Sequence, residues 1–397
     1  MNILFLFASP INPKRGGVES VTLTLANYFE KRGNKVFFLS RFDIVDDPSN
    51  DVRQFFVPNK SAFNVKENKV FFRKFLKDNK IDILINQFAI NFDSFSFVKI
   101  AHEMNVKIIS VIHNAPLASV LNFTSSKFNL FEKYKLKFFI PFFDSSIGKA
   151  LLGFVYKQRY SKLYKKVLRY SDKLFLLSEK YINQLYFFVN EKYAENVLFM
   201  PNPIPFEFSE TDLYKKERHV LFVSRMLYDQ KRPDFILYIW KKLQDIHKDW
   251  KLIVLGDGPY FKTFKKLAKE LSLVNIEIKG FLPPQEYYKK ARIFCMTSTY
   301  EGFPMVLNEC MQSAMVPMAF NSFASLTDII DDNINGYIIT PFDLDAYARR
   351  LSWLMSNERE IDRLALNAVE KSKKFGLESI GERWIEIMRN LINACNS

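Results

Sequence analysis

Glycine is scarce, at 12 in 397 residues. No Gly-x-Gly-x-x-Gly follows a candidate strand, which argues against a dinucleotide oxidoreductase. Cysteine is scarcer still. Cys295, Cys310 and Cys395 are too few for a disulfide framework and lack the paired spacing of a zinc site, so reduced thiols are expected. No run of about 18 or more apolar residues occurs, so no transmembrane helix is expected and membrane contact would be peripheral. The apolar run Ile3–Ala8 is short and has no basic leader, and is expected to be a buried strand, not a signal peptide. Internal repeats and low-complexity segments are also missing.

What is present is ordinary globular material: 48% hydrophobic and 25% charged residues, over a length that suits two domains. Phenylalanine is abundant at 41, for which the sequence alone offers no reason. The net charge of +14 favours an anionic partner: a nucleic acid, a nucleotide or an anionic membrane surface. Charge does not choose among them.

Short apolar runs alternate with longer amphipathic ones. Ile3–Ala8, Lys35–Ser40, Ile81–Asn86 and Lys107–His113 read as strands, with helices over Gly17–Lys31 and Lys66–Asn79. Continuous apolar runs suit buried parallel strands, and the helices suit crossovers. The pattern restarts at His219–Ser224. A helix over Arg232–His247, a strand over Trp250–Leu255 and a helix over Tyr260–Leu271 follow. Ile276–Lys279, Ile293–Thr297 and Val316–Ala319 then read as strands, and Val306–Ala314 as a helix. Three prolines in Pro201–Pro205 mark a stiff linker. The expected fold class is α/β, with two doubly wound domains and ligands beyond the carboxyl ends of their strands.

The chemistry-bearing motifs fall just after strands. Gly16 and Gly17 open a helix where a backbone could approach a phosphate, although a turn without a ligand reads equally well. Arg225 and Lys231 follow a strand and suit a diphosphate; a solvated basic loop is the alternative. Glu301 and Glu309, separated by seven residues, flank Gly302, Phe303, Pro304, Met305 and Val306. Carboxylates there can accept sugar hydroxyls while backbone N–H groups face a phosphate, or the two acids can be a helix cap and a solvated charge. Asp343-Leu344-Asp345 has the spacing of a metal-binding Asp-x-Asp, but its position before a helix favours capping.

These residues, with His113, Pro201-Asn202, Gly256-Asp257-Gly258-Pro259, Gly280-Phe281, Ser298 and Asn335-Gly336, resemble glycosyltransferase family 4, nearly end to end. The resemblance implies the GT-B fold: an acceptor-binding domain over 1–203, a nucleotide-sugar domain over 204–377, and a helix over 378–397 crossing back to the first. It implies a retaining transferase that needs no metal. Glu301 would contact donor-sugar hydroxyls and Phe303, Pro304 and Met305 would line the sugar and phosphate. Glu309 would hold the ribose, and Arg225 and Lys231 the diphosphate, helped by Gly17. Gly280 and Phe281 would lie near the base, and His113 near the donor sugar. The implied donor set is Gly16, Gly17, Gly256, Gly280, Phe281, Gly302, Val306 and these residues. The implied catalytic set is Glu301, His113, Arg225 and Lys231. The chain departs from the family at Ala314-Met315, where glycine is common, at Asn321–Ser325, usually glycine-rich, and at Pro203.

Residues 120–174 are basic and aromatic, with Glu132, Asp144 and Asp172 the only acids. Phe128, Lys133, Phe138, Phe139 and Phe142 belong to the segment. Tyr156, Tyr160, Leu163, Tyr164 and Val167 share one helical face, either a lipid-binding surface or a core face with a solvated basic side. The expected activity is transfer from a nucleotide sugar, UDP favoured over GDP, to a glycan or lipid-linked glycan of a cell-surface polysaccharide. The expected place is the cytoplasm, peripheral to the inner face of the membrane, with no nucleic-acid partner. The rivals are a nucleotide-sugar epimerase and an inactive nucleotide-sugar-binding scaffold.

Overall fold

A computed structural model describes residues 1–12, 16–41, 53–127, 131, 134–205 and 213–394. Phe128, Glu132, Lys133 and Cys395 lie outside the described residues. The chain divides into two compact units, one of Met1–Val120, Ile147–Phe206 and Phe375–Ser397, the other of Leu121–Ser146 and Glu207–Lys374.

The first unit is built on a seven-stranded sheet. Its strands are β1 (Asn2–Phe7), β2 (Lys35–Ser40), β3 (Gln54–Phe56), β4 (Ile83–Asn86), β5 (Lys107–Ile112), β6 (Lys173–Leu176) and β7 (Val197–Phe199). The order is β3-β2-β1-β4-β5-β6-β7 and every pairing is parallel. Ile3 lies between Val36 and Ile83 in register. The order reverses between β1 and β4, so chains leaving these strands diverge and open a crevice at their carboxyl ends.

Both faces of the sheet are covered, which is why its strands read as unbroken apolar runs. Phenylalanine fills much of the space. Phe72 stacks on Phe97 at 4.0 Å between centroids on one side, while Phe5, Phe29 and Trp384 form a chain of rings on the other. Trp384 belongs to the helix Leu377–Asn393, which packs on the helix Gly17–Lys31; there the Tyr28 hydroxyl donates to Glu382 at 2.7 Å. Gly381 permits that contact, since a Cβ there would stand 2.3 Å from the Tyr28 ring.

The helix Ser146–Tyr170 bears on both readings of its aromatic stripe. Leu163, Tyr164 and Val167 are buried, and Tyr164 stacks on Phe188 at 4.5 Å. Tyr156 and Tyr160 on the same face are half-buried, so the core reading holds for the carboxyl-terminal part of the stripe.

The second unit carries a six-stranded parallel sheet. Its strands are β8 (His219–Val223), β9 (Lys251–Leu255), β10 (Ile276–Gly280), β11 (Ile293–Met296), β12 (Val316–Phe320) and β13 (Tyr337–Ile339), in the order β10-β9-β8-β11-β12-β13. Here the order reverses between β8 and β11. Cys295 and Cys310 are buried free thiols of this unit.

Two helices end earlier than their periodicity suggests. The helix expected over Arg232–His247 spans Pro233–Lys241, and Leu243 turns back to the Trp240 carbonyl. The helix expected over Val306–Ala314 spans Met305–Gln312, stopped by Ala314 at φ 51°. That left-handed conformation favours glycine. Ala314→Gly should therefore raise stability by about 0.5–1 kcal/mol in chemical denaturation. Asp343 caps the helix Leu344–Met355, its carboxylate accepting from the Ala346 N–H at 2.8 Å, while Asp345 pairs with Lys242.

Candidate active site

In the second unit the residues after β8 and after β11 flank the reversal of strand order. Beyond β11 the chain reads Thr297-Ser298-Thr299. The Thr297 hydroxyl donates to the Lys231 and Arg232 carbonyls at 2.8 and 2.9 Å, and the Thr299 hydroxyl to those of Asp229 and Gln230 at 3.0 and 3.1 Å. The Asp229, Gln230 and Lys231 carbonyls end the short helix Tyr228–Lys231, where helical partners run out, while the Arg232 carbonyl also accepts from the Phe235 N–H. The two threonines thus fix the helix that carries Lys231 to the loop that carries Glu301.

Lys231 Nζ lies 2.5 Å from Glu301 Oε1 in a mostly buried ion pair, their side chains 20% and 9% exposed. Gln230 Nε2 donates to the Tyr300 carbonyl at 3.1 Å and reaches Glu301 Oε2 at 3.4 Å. Gly302, Phe303 and Pro304 are buried with Glu301. The Ser325 hydroxyl donates to the Gly302 carbonyl at 2.8 Å, and the Ser322 hydroxyl to the Ser298 carbonyl at 2.6 Å. The Asn321–Ser325 stretch therefore braces the Glu301 loop with hydroxyls.

The helix Met305–Gln312 begins after Pro304 without a side-chain cap. The N–H groups of Met305 and Val306 are thus at a helix N-terminus, where negative charge is favoured. Glu309 lies on the same helix, buried. The Tyr288 hydroxyl donates to its Oε2 at 2.7 Å. Burial pushes the Glu309 carboxyl up to about 7, against the smaller opposing effect of that hydrogen bond. Lys216 is also buried, donating to the Tyr288 and Ala291 carbonyls at 3.1 and 2.8 Å, and burial pushes its ammonium down to about 7.

Arg225 differs from these groups. It is exposed, and its guanidinium makes no hydrogen bond or ion pair among the described residues. Its backbone is held in place: the Met226 N–H donates to the Asp257 carbonyl and the Tyr260 N–H to the Met226 carbonyl, at 2.9 and 3.0 Å. Gly256 makes this approach of strand ends feasible. Its φ is 133°, and a Cβ would lie 1.8 Å from the Ser224 carbonyl oxygen. Gly280, at φ 74°, accepts from the Gly256 N–H at 2.7 Å, and Phe281 beyond it is 62% exposed.

Gly16, Gly17 and His113 belong to the first unit. Gly16 is extended, at φ 176° and ψ 175°, a conformation open to any residue. Gly17 opens the helix Gly17–Lys31. His113, just past β5, contacts Gln87 Oε1 through Nε2 at 2.5 Å. Gln87 Nε2 donates to the Thr22 hydroxyl, which donates to the Val18 carbonyl, at 3.0 and 2.9 Å. This chain of donors assigns the Nε2–H tautomer, because Gln87 Oε1 can only accept. The remaining nitrogen, Nδ1, is a buried acceptor with no partner among the described residues. Burial pushes the ring down to about 4, so it is neutral at pH 7.

The family model "Glycosyltransferase Family 4" matches residues 15–148, and "Glycosyl transferases group 1" matches 203–374. The chain belongs to the family 4 glycosyltransferases. An uncharacterised glycosyltransferase of Haemophilus influenzae is 24% identical over 94% of this chain and 96% of its own length. A Campylobacter jejuni α-1,4-N-acetyl-D-galactosaminyltransferase, named for a diphosphoundecaprenol-linked GalNAc acceptor, is 26% identical over 51% of this chain and 57% of its own length. With that relative the match spans little more than half of its chain. The structure of a point mutant of Staphylococcus aureus TarM, in complex with fondaparinux, α-GlcNAc-glycerol and UDP, matches over 99% of both chains at a TM-score of 0.73 and 16% identity. The fold of this glycosyltransferase is therefore GT-B, and the protein is a transferase enzyme.

The sequence missed several groups around the site. Tyr288 gave no signal beyond being one of two adjacent tyrosines on a short helix. Gln87 could have been found as the polar residue that follows a buried strand, as His113 was. Thr297 and Thr299 look like strand residues, and only the fold shows their hydroxyls turned to the Lys231 helix.

Proposed function

We propose that this enzyme transfers a sugar from a UDP-sugar to a lipid-linked glycan, with retention at the anomeric carbon and without a metal. The observation that carries the reading is the Lys231–Glu301 pair beside an uncapped helix N-terminus, at the reversal of a parallel sheet. A carboxylate offers about four lone-pair sites, so Glu301 can accept sugar hydroxyls while it binds Lys231 and Gln230. The N–H groups of Met305 and Val306, with Arg225 and Lys231, supply positive charge where a diphosphate departs. Glu309 Oε1, free of the Tyr288 bond, suits a ribose hydroxyl. Gly280 and Phe281 suit the base, and in the first unit His113 keeps Nδ1 as an acceptor for a hydroxyl.

In the reaction the bond from the anomeric carbon to the diphosphate oxygen breaks, and positive charge builds on the ring. The acceptor hydroxyl attacks from the face the diphosphate leaves, and its proton passes to the departing phosphate oxygen. Glu301 positions the sugar and forms no bond to it. The Asp-x-Asp spacing is occupied by a helix cap and a lysine pair, which supports a metal-independent transfer. UDP is supported by its presence with the structural neighbour, and a lipid-linked acceptor by the name of the Campylobacter relative. Synthesis of a cell-surface polysaccharide or lipopolysaccharide at the inner face of an anionic membrane is the corresponding process. Among the described residues, no helix is long and apolar enough to cross a membrane.

Thermal unfolding with UDP, GDP, ADP and their sugars tests the donor site. A nucleotide at a hundredfold excess over its Kd should stabilise the fold by about 2.7 kcal/mol. UDP should do so, and turnover should survive EDTA. Stabilisation by GDP alone would replace the base, and stabilisation by none would remove the donor-site reading.

A further inference from the structure

The helix Ser146–Tyr170 contains lysines and arginines along its length and no aspartate or glutamate. Its inner face, centred on Leu152, Leu163 and Val167, is packed into the first unit. The outer face is divided along its length. At about 100° per residue, Ile147, Leu151 and Phe154 fall on one line with Lys162, Lys165 and Arg169 further along. Ile147, Leu151, Phe154 and neighbouring Val155 are 75%, 51%, 60% and 51% exposed. Lys162, Lys165 and Arg169 are exposed as well. About two turns of apolar surface are thus continued by cations on the same side of one rigid element.

Neither half is explained by the fold. The helix already buries its opposite face, and the apolar residues in question are aliphatic or aromatic side chains standing in water. A contiguous apolar patch of this kind marks an interaction surface. The chemistry of the occupant follows from the composition. Protein interfaces are depleted in lysine, whereas lysine runs through this face. Single-stranded nucleic acids need aromatic platforms, and three of the four exposed apolar residues are aliphatic. An anionic bilayer satisfies both halves, taking apolar side chains into the headgroup boundary and placing lipid phosphates beside lysine and arginine.

We propose that the outer face of this helix docks the enzyme on an anionic membrane, with Ile147, Leu151, Phe154 and Val155 inserted. Lys162, Lys165 and Arg169 rest on lipid phosphates. The helix meets the bilayer at a tilt, its amino-terminal half deeper, because the apolar side chains are confined to that half. The docking face deepens the lipid-linked acceptor reading, on which it rests, by naming the surface that brings the enzyme to its substrate. It differs from the aromatic face singled out in the sequence, of which Leu163, Tyr164 and Val167 are buried and Tyr156 and Tyr160 half-buried.

The test is flotation of the full chain with phosphatidylcholine vesicles, with and without phosphatidylglycerol. The wild type should bind the phosphatidylglycerol vesicles and lose roughly tenfold in affinity between low and high salt. The variant I147S/L151S/F154S should bind at least about tenfold more weakly with an unchanged Tm, since all three side chains are exposed. K162E/K165E should abolish the salt-sensitive part. Absent binding, equal binding to pure phosphatidylcholine, or full binding by the triple variant overturns the proposal. So does a wild-type dimer that the triple variant converts to a monomer, which would make a second copy the occupant. Vesicle binding without transfer to any polyprenyl diphosphate-linked glycan would leave the docking face standing and remove the acceptor reading.

Discussion

Arg225→Ala is expected to lower kcat/KM by about 100-fold while leaving the unfolding midpoint in place. The two halves of that expectation come from one observation. Arg225 is exposed and makes no side-chain bond among the described residues, so the fold loses nothing with it. Surface substitutions of this sort stay within about 0.5 kcal/mol. The backbone beside it is tied to Asp257 and Tyr260 through Met226, which fixes where the side chain starts. Lys231 is a poorer probe of the same charge. It pairs with buried Glu301, and its removal would strand a carboxylate at a cost of roughly 3–5 kcal/mol, mixing folding with function. Arg225→Lys should recover part of the loss, because lysine keeps the charge but not the two parallel hydrogen bonds. Steady-state kinetics with saturating acceptor decides the matter. A change of less than about twofold in Arg225→Ala would take Arg225 out of the diphosphate site.

That Arg225 is legible in the sequence, and Tyr288 is not, reflects what a sequence encodes locally. Strands of doubly wound sheets are buried on both faces, so Ile3–Phe7 and Val220–Val223 announce themselves as apolar runs, and the residues that follow them stand at the carboxyl edge. Lys35–Ser40 and Gly17–Lys31 fall where their patterns end. Short edge strands such as Gln54–Phe56 and Val197–Phe199 carry too few residues for any period. Contacts between distant segments leave no trace at all. The Tyr288–Glu309 bond joins two helices, and the His113–Gln87–Thr22 chain joins three elements of one unit. The helix Ser146–Tyr170 shows the limit most plainly. Its aromatic stripe is visible in the sequence, but only packing shows that the carboxyl-terminal part of the stripe faces protein and that Ile147, Leu151 and Phe154 face solvent.

Glu309→Gln is expected to change the pH dependence of stability and to weaken nucleotide binding together. In the folded chain burial raises the Glu309 carboxyl from 4.5 to about 7. Below pH 4.5 the group is protonated in both states and its contribution to stability is fully present. Between 4.5 and 7 the unfolded chain gives up the proton and the folded chain keeps it, so stability falls as pH rises; above 7 the loss is complete. A displacement of this size corresponds to roughly 3 kcal/mol. Glutamine cannot titrate, and its carbonyl can still accept from Tyr288, so Glu309→Gln should be the more stable protein at pH 8 and should lack the decline. Lys216 acts in a separate window. Its ammonium, lowered from 10.5 to about 7, makes stability rise with pH between those values, and that rise should persist in the variant. Buried histidines such as His113 contribute equally to both proteins and cancel in the difference. Denaturant titrations of the two proteins from pH 4 to 9 measure it directly. The same substitution should weaken UDP binding by about tenfold, since a carboxylate is a stronger acceptor for ribose hydroxyls than an amide. A carboxylate kept buried at an energetic cost, and used by nothing, is hard to account for by folding alone. If Glu309→Gln removes the decline but leaves UDP affinity intact, Glu309 is a structural acid and the ribose is held elsewhere.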